Sequence, residues 1–201
     1  MAMDVLYEIT RNDLNKGLRK IPVGSCQTTL IDPQKGYFYV GRSLAEIYDW
    51  PVMQVLFLLI YGREATDREL QLFSAQLKQC GTCDTAFLQY LKTVLPADQE
   101  PLKLLSLALT YYSFQLPEKN LEEQAFLLLA HLPQLAAFVI NHCAGWQKTQ
   151  NFNVKASGYA ENFLAGLHLP FAPTAELLQA LNLFFVLYLD QGGGYLPTFV
   201  A

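Results

Sequence analysis

The chain contains little charge and few basic residues. Only 16% of its 201 residues are charged, and its 14 lysines and arginines are scattered among 18 acids without forming a cluster. A nucleic-acid-binding domain needs a basic patch to neutralise phosphates, so this composition argues against a nucleic acid partner. Apolar residues make up 52% of the chain, which is high for a soluble domain and indicates that a partner covers part of the surface.

A secretory signal is also missing, because the opening residues "MAMDVLYEITRNDL" carry acids where an apolar core would stand. One uncharged stretch, 124–147, is long enough to span a bilayer. Pro133 and Asn141 interrupt it, however, and a buried helix explains it better than a membrane span. We therefore expect a cytoplasmic protein with no membrane partner.

Cysteine is scarce, with four residues in all. Cys80 and Cys83 form a C-x-x-C pair, but no second pair and no nearby histidine accompanies them, so a zinc site is not expected. A redox dithiol would follow a strand, whereas the preceding residues have a helical pattern. We expect reduced structural cysteines, including Cys26 and Cys143, with no metal and no tightly bound cofactor.

Turn residues and apolar spacing predict the order of elements. A short polar helix is expected over 3–19 and a β-hairpin over 26–41, with the turn between Asp32 and Gly36. From residue 42 the apolar spacing is helical. The residues that begin, cap or end the predicted helices are Pro51, Gly62, Thr66 with Glu69, Pro96, Pro101, Asn120 with Glu123, Ser157 and Pro173.

The predicted fold class is therefore all-α, mainly helical, with a small N-terminal β-hairpin. We expect a single domain over 1–201, consisting of an N-terminal helix and hairpin (1–41) and a helical part (42–201). Pro133 falls inside a long helical pattern and predicts a kink there.

Two predicted helices, 101–115 and 121–143, lack a polar face. A helix that is apolar all round must be buried on all sides. In a domain of this size a second subunit is the natural cover, so a homodimer is expected.

Several segments, in the same order, resemble the citrate synthase family. They include "VMQVLFLLIYGREATDREL", "VLPADQEPLKLLSLAL", "LAHLPQLAAFVINHCAGW" and "GYAENFLAGL", and the resemblance runs from about Gly17 to the end. It implies a mainly helical fold that works as a dimer.

The resemblance also implies an acyltransferase of the tricarboxylic acid cycle type, which condenses acetyl-CoA with oxaloacetate. The family's catalytic residues, two histidines and an aspartate, lie in motifs that would come after residue 201. The chain's own histidines, His131, His142 and His168, match none of them. We therefore expect an incomplete domain with no catalytic residue of its own, inactive alone, with an acyl-CoA as its possible co-substrate.

The segment "YLDQGGGY" resembles the family's oxaloacetate-binding loop. Asp190 aligns with the loop's aspartate, Tyr188 and Gln191 stand where its two histidines belong, and Tyr195 replaces its asparagine. The resemblance makes Tyr188, Gln191 and Tyr195 the candidate substrate-binding residues. Gln191 can donate only a neutral hydrogen bond, which is weaker than one from an imidazolium, and a loop that has lost its ligand is the alternative.

Three interpretations stay open. In the first, the catalytic residues lie on a second polypeptide, and this chain supplies the dimer helices and one wall of the site. In the second, it is a non-catalytic dimerisation or regulatory protein derived from the citrate synthase fold. The third is a poorly soluble product of a broken gene.

Overall fold

The structure is a computed structural model that describes residues 7–16, 25–116, 120–146 and 158–190. The strands are β1 (Thr29–Asp32), β2 (Gly36–Tyr39) and β3 (Arg42–Ser43). The helices are α1 (Leu44–Ile47), α2 (Val52–Tyr61), α3 (Asp67–Cys80), α4 (Thr85–Val94), α5 (Pro101–Ser113), α6 (Leu121–Ala144), α7 (Tyr159–Gly166) and α8 (Ala175–Tyr188). The predicted fold class, helical with a small hairpin, is confirmed.

The three strands form one antiparallel sheet in the order β1-β2-β3, with Thr29 opposite Tyr39. At the predicted turn, Asp32 Oδ1 accepts hydrogen bonds from the backbone N–H groups of Gln34 (2.8 Å) and Lys35 (3.0 Å). This local bonding explains why the hairpin could be predicted. The sequence pattern did not predict the two-residue strand β3.

The helix predicted over 3–19 is wrong for its described part, 7–16. That part contains only a 3₁₀ turn, Arg11–Asp13. The carboxylate of Asp13 accepts hydrogen bonds from the backbone N–H of Thr10 (2.9 Å) and from Lys16 Nζ (2.8 Å). These short-range bonds compete with a continuing helix.

Helix α6 lies at the centre of the helical part and packs against α3, α5 and α7. Among the described residues it is the one helix with the length and apolar composition to cross a membrane. Leu135 and Ala137 are 0% and 1% exposed, so its middle is covered by its own chain. Pro133 lies within the helix, which continues past it to Ala144.

Helix α5 is covered on one face only. Leu104 and Ala108 are fully buried, whereas Leu102 is 69% exposed and Leu107 is 46% exposed. The single chain therefore leaves one apolar face of α5 uncovered, and its cover by a second subunit stays a prediction.

Local capping bonds set several helix ends as predicted. Thr66 Oγ1 accepts from the backbone N–H of Glu69 at 3.3 Å, and Asn120 Oδ1 accepts from that of Glu123 at 2.9 Å. Gly62 ends α2 with φ of 68°, a conformation that suits glycine. The predicted cap Ser157 lies outside the described residues.

The capping box of α3 leads to a pH prediction. Hydrogen bonds from Arg63 and Thr66 lower the pKa of Glu69 from its ordinary 4.5 to about 2. A carboxyl with a lowered folded-state pKa stabilises the fold above its unfolded pKa, and this contribution is lost as pH falls through the folded value. Between about pH 4.5 and 2 the urea midpoint should therefore fall more for the native chain than for Glu69→Gln, which keeps the cap. The same dependence of the urea midpoint on pH in the two proteins would contradict this prediction.

Candidate functional site

The end of α8 is tied to the sheet through Asp190. The hydroxyls of Thr28 and Thr29 both donate to Asp190 Oδ2, each at 2.5 Å. The Tyr39 hydroxyl lies 3.2 Å from the carbonyl oxygen of Asp190 and 3.4 Å from its backbone nitrogen. We call Thr28, Thr29, Tyr39 and Asp190 the Asp190 cluster. It brings together residues up to 162 positions apart in the chain.

The Asp190 cluster is largely enclosed. Tyr39 is 0% exposed and Thr29 is 3% exposed. Burial raises the pKa of Tyr39, an effect that the hydrogen bond with the Asp190 backbone partly opposes, so the phenol stays protonated at neutral pH. One carboxylate oxygen of Asp190 already accepts two hydroxyls. The aspartate therefore attaches the end of α8 to the sheet.

Cys26 lies at the edge of this cluster. Its Sγ is 3.4 Å from Thr28 Oγ1, and the hydrogen bond with that hydroxyl lowers the pKa of the thiol. Cys83 is the opposite case, because burial raises its pKa to about 12. All four cysteines are free thiols. Among the described residues, no three His, Cys, Asp or Glu side chains come close enough to hold a metal ion.

Of the predicted substrate-binding residues, only Tyr188 is described. It is 71% exposed, and its ring centroid lies 4.9 Å from that of Phe184. Gln191 and Tyr195 lie outside the described residues. Their role in binding a substrate stays a prediction.

The side chains of His131 and His142 contact backbone carbonyls in the helical part, whereas His168 donates its backbone N–H to Asn141 Oδ1 at 2.8 Å. His131 Nε2 lies 3.2 Å from the carbonyl oxygen of Thr82, and its Nδ1 is hydrogen-bonded to the Tyr112 hydroxyl. His142 Nε2 lies 2.8 Å from the carbonyl oxygen of Leu95. These bonds fit packing positions between helices.

Two arginines, Arg42 and Arg63, take part in ion pairs. Arg42 pairs with Glu64. Arg63 contacts both carboxylate oxygens of Glu69, at 2.5 and 3.0 Å, and lies over the Phe57 ring. All of these charged groups lie at the surface, where such pairs contribute little to stability.

Reasoning from the sequence found Asp190 but missed its three partners. Thr28, Thr29 and Tyr39 lie in or beside the hairpin. The two adjacent threonines are only a weak indication of this site, because the neighbouring sequence does not show that their hydroxyls bond to a residue far along the chain.

The chain matches known proteins over nearly its whole length. Residues 17–201 match the family described as "Citrate synthase, C-terminal domain". A 2-methylcitrate synthase from Mycobacterium tuberculosis is 27% identical over 192 residues, covering 90% of this chain and 47% of that protein. The peroxisomal citrate synthase of Saccharomyces cerevisiae is 24% identical over 221 residues, covering 95% and 45%.

Solved structures show the same fold. A ternary complex of Thermoplasma acidophilum citrate synthase with carboxymethyl coenzyme A and oxaloacetate has a TM-score of 0.77 at 19% identity, covering 91% of this chain and 49% of that one. Citrate synthase from Thermotoga maritima has a TM-score of 0.71 at 20% identity, covering 88% and 47%. The chain thus spans about half the length of the proteins it matches.

Proposed function

The chain belongs to the citrate synthase family, and from that premise we propose that it is one part of a condensing enzyme. The reaction would join an acyl-CoA, such as acetyl-CoA, to oxaloacetate or a related 2-oxo acid. The observation that carries this proposal is the Asp190 cluster, which attaches the start of the candidate substrate loop to the sheet.

The residues around this loop would bind the 2-oxo acid. Gln191 would donate a neutral hydrogen bond to a carboxylate or keto oxygen, and Tyr188 and Tyr195 would offer phenol hydroxyls. Neutral donors hold a dianion less strongly than imidazolium groups do. We therefore propose weak binding of the 2-oxo acid, or a preference for one with less charge.

The chemical step needs catalytic groups that none of the motifs recognised in this chain supplies. A base must remove a proton next to the thioester, and a donor must stabilise the resulting enol. We propose that these groups come from the other half of the citrate synthase fold, which the relatives carry outside the matched region.

The isolated chain is accordingly expected to release no CoA from acetyl-CoA and oxaloacetate. Release is expected once a polypeptide carrying the second half of the fold is added, and it should fall at least tenfold in the Gln191→Ala variant. A thiol-reactive dye that detects free CoA measures both. Turnover by the isolated chain that Gln191→Ala abolishes would contradict the proposal.

We also propose that a second copy covers α5 and the first half of α6. Exposed apolar side chains cluster there: Leu102, Leu107, Phe114, Leu121 and Leu128. Light scattering at micromolar concentration should give twice the mass of one chain, and Leu107→Lys should lower it towards one. A monomeric native chain would refute the proposal.

A second candidate function is a non-catalytic dimerisation or regulatory protein of this fold. Replacement of both loop histidines by Tyr188 and Gln191, while Asp190 still aligns with the loop's aspartate and bonds to the sheet, favours it. It predicts a dimer that gives no turnover with any second-half polypeptide.

A cytoplasmic location is part of either proposal, although one relative is named as a peroxisomal enzyme. Fractionation of the host cell would test the location.

A further inference from the structure

A cavity that shares no residue with the Asp190 cluster lies where the connection between α3 and α4 meets α5 and α6. Its volume is about 280 Å³, just under the range of about 300 to 1,000 Å³ typical of pockets for drug-sized ligands, so it suits a small molecule. We call it the Tyr112 cavity. Its lining residues include three with aromatic rings, two leucines and one acid: Phe87, Tyr112, His131, Leu116, Leu127 and Asp84.

The three aromatic rings stand next to one another at steep angles. The ring centroids of Phe87 and Tyr112 are 6.0 Å apart with their planes at 51°, and those of Tyr112 and His131 are 5.1 Å apart at 65°. Phe87 and Tyr112 are 7% and 6% exposed, so both belong to the packed interior. Aromatic ring faces attract a cation that lies within about 6 Å of their centroids. Adjacent rings at such angles can therefore hold one cation together.

Hydrogen bonds fix the walls of the Tyr112 cavity. His131 Nε2 donates to the carbonyl oxygen of Thr82 at 3.2 Å, and its Nδ1 accepts from the Tyr112 hydroxyl. One neutral tautomer of the imidazole satisfies both bonds. Gln134 Oε1 accepts from the backbone N–H of Cys83 at 2.8 Å, which attaches the α3–α4 connection to α6. The cavity is therefore formed before a ligand binds, as most small-molecule sites are.

The charge around the Tyr112 cavity is negative. Burial raises the pKa of Tyr112 and that of Cys83, each to about 12, so the phenol and the thiol stay neutral at neutral pH. Asp84 supplies a carboxylate. Among the described residues that line the cavity, none is a lysine or an arginine. The cavity is therefore complementary to a positive charge.

Two helix ends near the cavity carry opposite partial charges. Helix α5 ends at Ser113, and Gln115, just after it, lines the cavity. The partial negative charge of a helix C-terminus favours a cation. The N-terminus of α4 has the opposite effect, but its N-cap Asp84 places a full negative charge there, with Oδ1 accepting from the backbone N–H of Ala86 at 2.9 Å. The two helix ends together thus leave the cavity attractive to a cation.

We propose that the Tyr112 cavity binds a small alkylated ammonium ion, whose methyl groups contact Phe87 and Tyr112 and whose charge is balanced by Asp84. A primary ammonium fits less well, because it needs acceptors for three N–H donors, whereas the walls are mainly rings and leucines. The site is separate from the candidate substrate loop, and the inference does not depend on the proposed function.

A titration of the full chain with choline chloride tests the inference, with the ionic strength held constant by sodium chloride and the heat of binding measured by calorimetry. Choline should bind one to one. Its uncharged analogue, in which carbon replaces the nitrogen, has the same shape without the charge. It should bind at least tenfold more weakly.

Two variants locate the binding. Phe87→Leu keeps an apolar side chain but removes the ring face, and Asp84→Asn keeps a helix cap but removes the charge. Each should weaken choline binding at least fivefold. The matched controls are Tyr90→Leu, which alters an exposed aromatic residue of α4, and Asp98→Asn, which alters an exposed acid after α4. Both controls should leave binding unchanged, and circular dichroism verifies that all four variants fold.

Three results would overturn the inference. The first is the lack of saturable choline binding. The second is equal binding of the uncharged analogue, which would make the cavity a purely apolar site. The third is binding that neither Phe87→Leu nor Asp84→Asn weakens, which would place the choline elsewhere on the chain.

Discussion

Leu135→Ala is expected to lower the free energy of unfolding by about 3 kcal/mol, within the range of about 2 to 5 kcal/mol typical of buried Leu→Ala changes. Leu135 is 0% exposed at the middle of α6 and belongs to the apolar cluster that α6 shares with α4 and α5. Its removal leaves a cavity inside this cluster, whose other buried members include Leu91 and Leu104. Urea unfolding followed by circular dichroism measures the change.

The matched control is Leu72→Ala on α3. Leu72 is 62% exposed, so the same chemical change should alter the free energy of unfolding by less than about 0.5 kcal/mol. A similar loss for both variants would mean that α6 is not the centre of the packed core.

Local chemistry explains which parts of the fold were predictable. The caps of α3 and α6 depend on residues three positions apart, so Thr66 with Glu69 and Asn120 with Glu123 could be recognised in the sequence. The hairpin was recognisable for the same reason, since Asp32 bonds to the residues that immediately follow it. The presence of the helices could be predicted from the spacing of apolar residues alone.

Burial was harder to predict, because it depends on which helices meet. In α8 the polar Asn182 turns inwards to bond the backbone near α2, whereas the apolar Phe184 is more than half exposed. The apolar and polar pattern of a sequence would instead place Asn182 on the solvent side and Phe184 on the core side. The same limitation applies to α5, whose apolar residues divide between the core and the surface.

The candidate site was predictable only in part. Resemblance to the family identified Asp190, but its contacts with Thr28 and Thr29 join segments more than 160 residues apart. No spacing rule covers such a pair. The contacts give Asp190 a structural role, because they attach the end of α8 to the sheet.

Asp190→Ala should therefore lower the free energy of unfolding by about 2 kcal/mol. A hydrogen bond to a charged group contributes roughly 1.5 to 3 kcal/mol, and the partial exposure of Asp190 reduces the contribution of each of its bonds. The hydroxyls of Thr28 and Thr29 would lose their shared acceptor. Asp190→Asn keeps a neutral acceptor of about half the strength, so its loss should be smaller.

A double-mutant cycle separates these bonds from general damage to the fold. Thr29→Val removes one donor with little change of shape, so it should be less harmful in the Asp190→Ala background than in the native chain. The expected coupling is about 1 kcal/mol, within the range found for residues in contact. If the two single changes add instead, the hydroxyl–carboxylate bond does not hold Asp190 to the sheet. The geometry of the candidate site would then depend on Tyr39, whose hydroxyl also contacts the backbone of Asp190.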